Sequence, residues 1–266
     1  MNGKVVAIIS GKGGVGKTTT AANLGIALAT LGQKVVCIDT DIGLRNLDVV
    51  LGLENRIVYD LVDVVEGRCR LTQAMVRDRR YENLHLIPAA QTRDKSAVSA
   101  SDMVRLCEEL RSMADWIVID SPAGIERGFR NAIAPADQVL VITNPEVSSL
   151  RDADRIIGLV EAEEKGPAQL IINRINPEMV KRGDMLSISD VIELLAIPLI
   201  GIVPEDETVL ISTNSGQPVV LNEKSKAGLA FLNIGKRLLG EEVPWVSLNV
   251  KAGLLSRLGQ LFSGET

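Results

Sequence analysis

The stretch Ser10 to Thr19, S-G-K-G-G-V-G-K-T-T, limits what this chain can fold into more than any other part of it. It fits the spacing G-x-x-x-x-G-K-[ST] with Gly11, Gly16, Lys17 and Thr18, between an apolar run, Val5 to Ile9, and a helix-like stretch starting near Lys17. Phosphate oxygens need donors from many directions, and glycines let consecutive backbone N–H groups turn inward with no Cβ in the way. The helix that follows adds its N-terminal field. Gly11, Lys12, Gly13, Gly14, Val15, Gly16, Lys17, Thr18 and Thr19 are therefore expected to surround a polyphosphate. In that arrangement Lys17 reaches the β- and γ-phosphates and the Thr18 hydroxyl coordinates Mg²⁺.

A strand, a phosphate loop and a helix in succession point to an α/β fold. Hydrophobic residues make up 46% of the chain and aromatics only 3%, so the core must be built from Val, Ile, Leu and Ala. Parallel sheets covered by helices on both faces have that composition. The reading is a doubly wound, mostly parallel sheet flanked by helices, in one large domain over residues 1–240.

Besides Val5 to Ile9, strands are predicted at Val35 to Ile38, Leu84 to Ile87 (with His85 as a strand residue), Trp116 to Asp120, Gln138 to Thr143, Gln169 to Ile172 and Leu199 to Val203. Helices are predicted at Thr19 to Leu31, Ile57 to Val65, Leu71 to Val76, from Ser99 or Ser101 to about Met113, from Ser148 or Ser149 onward, at Ser189 to Leu195 and at Lys226 to Leu239. Ile42 to Asp48 carries neither periodicity and reads as a loop able to take two shapes.

Chemistry is expected where these strands end. Asp39 and Asp41 follow the second strand at i and i+2, so on an extended chain they point the same way. Beside a phosphate loop they are placed to meet Mg²⁺ and attacking water. Trp116 to Ile119 is an apolar strand closed by Asp120, whose carboxylate would hold a metal directly or through water. Asn173-Arg174 and Pro204-Glu205-Asp206 follow two later strands, where a base could be held.

A plain phosphate loop does not need Lys12. The octet G-K-G-G-V-G-K-T resembles the deviant Walker A motif of the MinD/ParA family of nucleotide-dependent dimers, and the likeness runs on through D-I-G-L-R-N-L-D, D-S-P-A-G, N-P-E-V-S-S and P-E-D, over essentially all 266 residues. The resemblance implies a P-loop NTPase. In it, Lys12 reaches the phosphates bound by the partner subunit, as an arginine finger does. Asp41 positions the hydrolytic water and Asp39 assists the magnesium shell. Asn173 reads the base edge, Arg174 stacks on it, and Pro204, Glu205 and Asp206 complete an adenine site. Asp152 matches a residue able to pair with Lys12. The N/T-K-x-D guanine signature is missing, which favours ATP.

For the division-site branch of that family, the resemblance implies a membrane-associated ATPase that is slow alone and dimerises with ATP. It would recruit the division inhibitor MinC and be released through hydrolysis activated by MinE or an equivalent factor, in a bacterium or a plastid.

The tail fits that reading. Residues 241–250 read as a linker containing Pro244 and Trp245, and residues 251–266 as an amphipathic segment with Leu254, Leu255, Leu258, Leu261 and Phe262 on one helical face. Five such side chains gross ~1.5–3 kcal/mol each when fully buried, but interfacial insertion is shallow. Gly253 and Gly259 each subtract about 1 kcal/mol from helix formation. One tail should bind an anionic membrane poorly and two tails on a dimer should hold.

Composition weighs against the rivals. A net charge of −5 is no footprint of a ParA-like DNA-partitioning module, so no nucleic acid partner is expected. Cys37, Cys69 and Cys107 contain no C-x-x-C, which disfavours an iron–sulfur carrier. With no apolar run near ~18 residues and no signal-peptide core, the expected location is the cytoplasm, peripheral on the inner face of the membrane.

Overall fold

The computed structural model describes residues 2–166 and 168–248. The first half runs β1 (Lys4–Ile9), α1 (Lys17–Thr30), β2 (Val35–Asp39), α2 (Leu47–Leu51), α3 (Leu61–Val65), α4 (Leu71–Ala74), β3 (Val76–Arg77), β4 (Leu84–Ile87), α5 (Ala100–Leu110) and β5 (Trp116–Asp120). The second runs α6 (Arg127–Ile133), β6 (Gln138–Thr143), α7 (Val147–Ala162), β7 (Ala168–Ile175), α8 (Pro177–Arg182), α9 (Ile188–Leu195), β8 (Leu199–Pro204), α10 (Glu207–Asn214) and α11 (Lys226–Leu238).

Among the described residues the strands form one eight-stranded sheet in the order β3-β4-β2-β5-β1-β6-β7-β8. Every pairing is parallel except the short β3–β4 edge. The expected fold class is the observed one. Strand alternation explains why the strands read as continuous apolar runs: Val5, Ala7 and Ile9 enter one core while Val6 and Ile8 enter the other. The same division holds for β5, with Ile117 and Ile119 on one side and Trp116 and Val118 on the other.

Helix α1 is buried on nearly every side, so it shows no polar stripe and is rich in small residues. A Cβ on Gly25 would stand 2.5 Å from the Cys37 sulfur, which is how closely α1 approaches the sheet. Helix α11 lies against α1 and β8 and completes that layer.

Several element ends differ from the sequence reading. The helix expected from Ile57 begins at Leu61, because the Asp60 carboxylate accepts from the Val62 and Asp63 N–H groups and starts it there. The one expected over Leu71 to Val76 stops at Ala74, since Val76 pairs antiparallel with Leu86. Ser99, not Ser101, caps α5, which ends at Leu110. Leu47 and Asp48, read as loop, begin α2, and α6, α8 and α10 carried no signal strong enough to be read. Among the described residues no helix is long and apolar enough to cross a membrane. The membrane-facing residues named above, 254–262, lie outside the described residues.

Candidate functional site

Strand β1 sits between β5 and β6, so the loop leaving its carboxyl end opens at the middle of the sheet. Gly14 and Gly16 have φ of 77° and 103°, the left-handed region that favours glycine. Two of the loop glycines also answer to packing. A Cβ on Gly16 would lie 2.4 Å from the Asn173 amide nitrogen, and one on Gly11 would lie 2.3 Å from the Asp152 carbonyl oxygen. The Lys17 ammonium is almost fully buried and donates to the Ser10 hydroxyl at 2.8 Å; Ser10 donates in turn to the Lys12 carbonyl at 2.7 Å. Burial lowers the pKa of Lys17, against the attraction of Asp120 and Asp41.

The acidic residues converge from two neighbouring strands. Asp39 and Asp120 are partners in the β2–β5 register, and both are buried. The Asp120 Oδ1 is buried with no hydrogen-bond partner, and the Thr18 hydroxyl is near enough to this carboxyl to oppose the rise in its pKa. Desolvation and the facing carboxylate push Asp120 well above its usual range, and burial brings Asp39 to about 6. Lys17 offsets only part of the charge of such a pair. A hard divalent cation fits: one orphaned carboxylate oxygen, one hydroxyl, and room left for waters and substrate phosphates, as Mg²⁺ prefers.

Asp39 also has a structural task. Its oxygens accept the N–H of Asp41 at 2.9 Å and those of Asn46 and Leu47 at 3.1 Å each, so it holds the turn into α2. The Asp41 side chain is half-buried, its pKa raised by burial against Lys95 and Lys17. It lines a cavity with Thr40, Lys95, Pro122, Ala123 and Glu126, between the loops that follow β2 and β5. The turn beyond it is latched by the Arg45 Nε, 2.9 Å from the buried Asp48 carboxylate. Lys95 was missed because nothing in its local spacing links it to Asp41.

Lys12 lies at the surface. Its ammonium donates to the Ser148 hydroxyl at 3.2 Å and stands 3.7 Å from the Glu146 carboxylate, at the start of α7. The pairing with Asp152 is not the one observed; Asp152 instead presses its backbone against Gly11.

The base-contact candidates gather in one cleft. Gly16, Thr19, Asn173, Arg174, Pro204, Glu205 and Asp206 line it, and α11 adds Phe231. A bulge in β7 between Ile172 and Ile175 and a φ of 57° turn Arg174 out of the ladder. Two of these side chains are already engaged. One N–H of the Asn173 amide donates to the Val15 carbonyl at 2.7 Å, leaving its other N–H and its carbonyl for a base. Asp206 accepts from Thr208 N at 2.9 Å and from the Ser225 hydroxyl at 2.7 Å, so it ties α10 to α11 and does not face the base freely. Glu205 accepts from the Asn176 amide at 2.7 Å. Phe231 went unpredicted because a lone Phe on a helix reads as core.

The family profile described as CobQ/CobB/MinD/ParA nucleotide binding domain matches residues 6–219. Among curated relatives, the septum site-determining protein MinD of Synechocystis sp. is 56% identical over 244 residues, covering 91% of this chain and 92% of that one. The MinD of Bacillus subtilis is 51% identical over 263 residues, 98% of each. Of solved structures, a MinC:MinD cell division protein complex from Aquifex aeolicus superposes with a TM-score of 0.85 at 51% identity, over 91% of this chain and 98% of that one. Septum site-determining MinD complexed with Mg-ADP from Pyrococcus horikoshii gives a TM-score of 0.80 at 29% identity, over 88% and 95%.

Proposed function

From a chain that belongs to the CobQ/CobB/MinD/ParA nucleotide-binding family, and within it to the septum site-determining MinD proteins, we infer an ATPase that positions the division site by cycling between monomer and membrane-bound dimer. The observation that carries this reading is the contrast between two lysines of one loop. Lys17 is buried among Ser10, Asp41 and Asp120, where its own nucleotide's phosphates belong, while Lys12 stands at the surface on a weak, releasable pair with Glu146.

The chemistry is transfer of the γ-phosphoryl group of ATP to water. Water oxygen bonds to the γ-phosphorus, the bond to the β–γ bridging oxygen breaks, and ADP and inorganic phosphate leave. Asp41 orients the water, and Lys17 balances the charge growing on the bridging oxygen. Thr18 and Asp120 would hold Mg²⁺, whose charge would offset that of the triphosphate, while Asp39 keeps the Asp41 turn in place. The Asn173 amide, the Arg174 guanidinium, Pro204 and Glu205 enclose adenine. Lys12 of each copy supports the phosphates in the other, so the dimer lasts only while the triphosphate does.

MinC is the partner that a MinC:MinD structure at 51% identity supports, with MinE or an equivalent factor as activator. Residues 251–266 serve as the membrane-targeting segment, which makes the protein peripheral on the inner face of the membrane. The DNA-partitioning and iron–sulfur alternatives gain nothing from relatives at 51–56% identity. Deleting residues 251–266 should leave nucleotide binding intact and lower ATP-dependent vesicle sedimentation at least tenfold. Undiminished sedimentation would move the membrane contact elsewhere.

A further inference from the structure

Residues 241–250 read as a linker, and its described part is fixed to the domain. The Arg237 guanidinium, in the last turn of α11, donates to the Val243 carbonyl at 2.9 Å and to the Pro244 carbonyl at 3.1 Å, and stacks on the Trp245 ring at 3.9 Å from its centre. The Asn233 amide adds a longer bond to the Pro244 carbonyl at 3.4 Å. Val246 packs against the core cluster beneath α1 and α11. Arg237 is also seated on the sheet, donating to the Ile200 carbonyl at 3.1 Å. A planar guanidinium suits this work, since its fork bonds carbonyls in plane while its face stacks on an aromatic ring. Nothing in the ATPase chemistry above uses this cluster.

We propose that residues 243–246 are a strap, that Arg237 is its clasp, and that the clasp is a positioning residue for membrane attachment. The proposal rests on the reading of residues 251–266 as the lipid-binding segment. With the strap closed, the chain is held to the domain as far as Val246, five residues before Lys251. With it open, the last hold is the Glu241 N–H on the Lys236 carbonyl at 3.0 Å, ten residues before Lys251. The greatest reach of the spacer then rises from about 17 Å to about 35 Å. Two tails on one dimer act at an effective concentration falling as roughly the −3/2 power of spacer length. Opening the strap should therefore weaken two-tailed attachment about threefold with no change at the nucleotide site.

The test uses the full chain with Mg²⁺ and ATP, and vesicles of mixed phosphatidylglycerol and phosphatidylcholine. Trp245 is half-exposed and Trp116 buried, so acrylamide quenching reports on Trp245. Arg237→Gln should raise quenching in the absence of lipid and raise about threefold the lipid needed for half-sedimentation, with lipid-free ATP hydrolysis unchanged. Trp245→Ala opens the strap while sparing the bond to Ile200 and should shift half-sedimentation equally, which keeps the test valid if Arg237→Gln folds badly. Unchanged quenching would overturn the clasp. Raised quenching with unchanged lipid dependence, or a Trp245→Ala chain that binds vesicles normally, would overturn its positioning role. Failure of the membrane reading would appear separately, as sedimentation of a chain lacking residues 251–266.

Discussion

Replacing Asp41 by alanine is expected to slow phosphate release by about a hundred- to ten-thousand-fold, the range for losing a group that handles the attacking water, while ATP binding and vesicle attachment persist. The carboxylate does not hold the loop together: Asp39 does, through backbone N–H bonds at 2.9–3.1 Å that an Asp41→Ala chain keeps. The side chain of Asp41 faces the cavity shared with Lys95, Pro122 and Ala123. Its removal therefore deletes a catalytic contact without collapsing the turn. Single-turnover assays of bound ATP check this directly, and brisk turnover would take Asp41 out of the mechanism.

The second large effect belongs to Lys12. Lys12→Ala should leave each copy able to bind ATP, because Lys17, Thr18 and the loop backbone are untouched, yet abolish ATP-driven dimerisation. Partner-stimulated hydrolysis should fall by about a thousandfold or more, as when a cation supplied in trans is lost. In this structure Lys12 rests on Glu146 and Ser148, with side-chain exposures of 44% and 53% for the ion pair. Pairs that exposed contribute little, so redirecting the lysine toward a second copy's phosphates costs little. Measuring hydrolysis at saturating activator separates the outcomes; a Lys12→Ala chain that dimerises and responds normally would refute the role in trans.

The legible and the hidden parts of this protein divide along a physical line. Strands were readable because both faces of the sheet are buried, which makes runs such as Val5 to Ile9 apolar throughout. The phosphate loop and the acids at strand ends were readable because their spacing carries their chemistry. The short helices were readable only in part: α3, α4 and α9, of five, four and eight residues, were found, while α2, α6 and α10, of five, seven and eight, were not, since so few residues leave periodicity a weak signal. Pair geometry was hidden for another reason. That Lys12 would meet Glu146 and not Asp152, or that Asp206 would spend its carboxylate on Thr208 and Ser225, depends on how α7, α10 and α11 pack. The linker shows the same limit, because the clasp between Arg237 and Trp245 joins residues whose separate sequence signals are those of a helix end and a loop.

The mass of the full chain in solution, measured by light scattering with Mg²⁺ and a non-hydrolysable ATP analogue and again with ADP, tests the account most directly. A single chain is 28.6 kDa. The account predicts twice that mass with the analogue and the single-chain mass with ADP. One chain's mass under both conditions would contradict it.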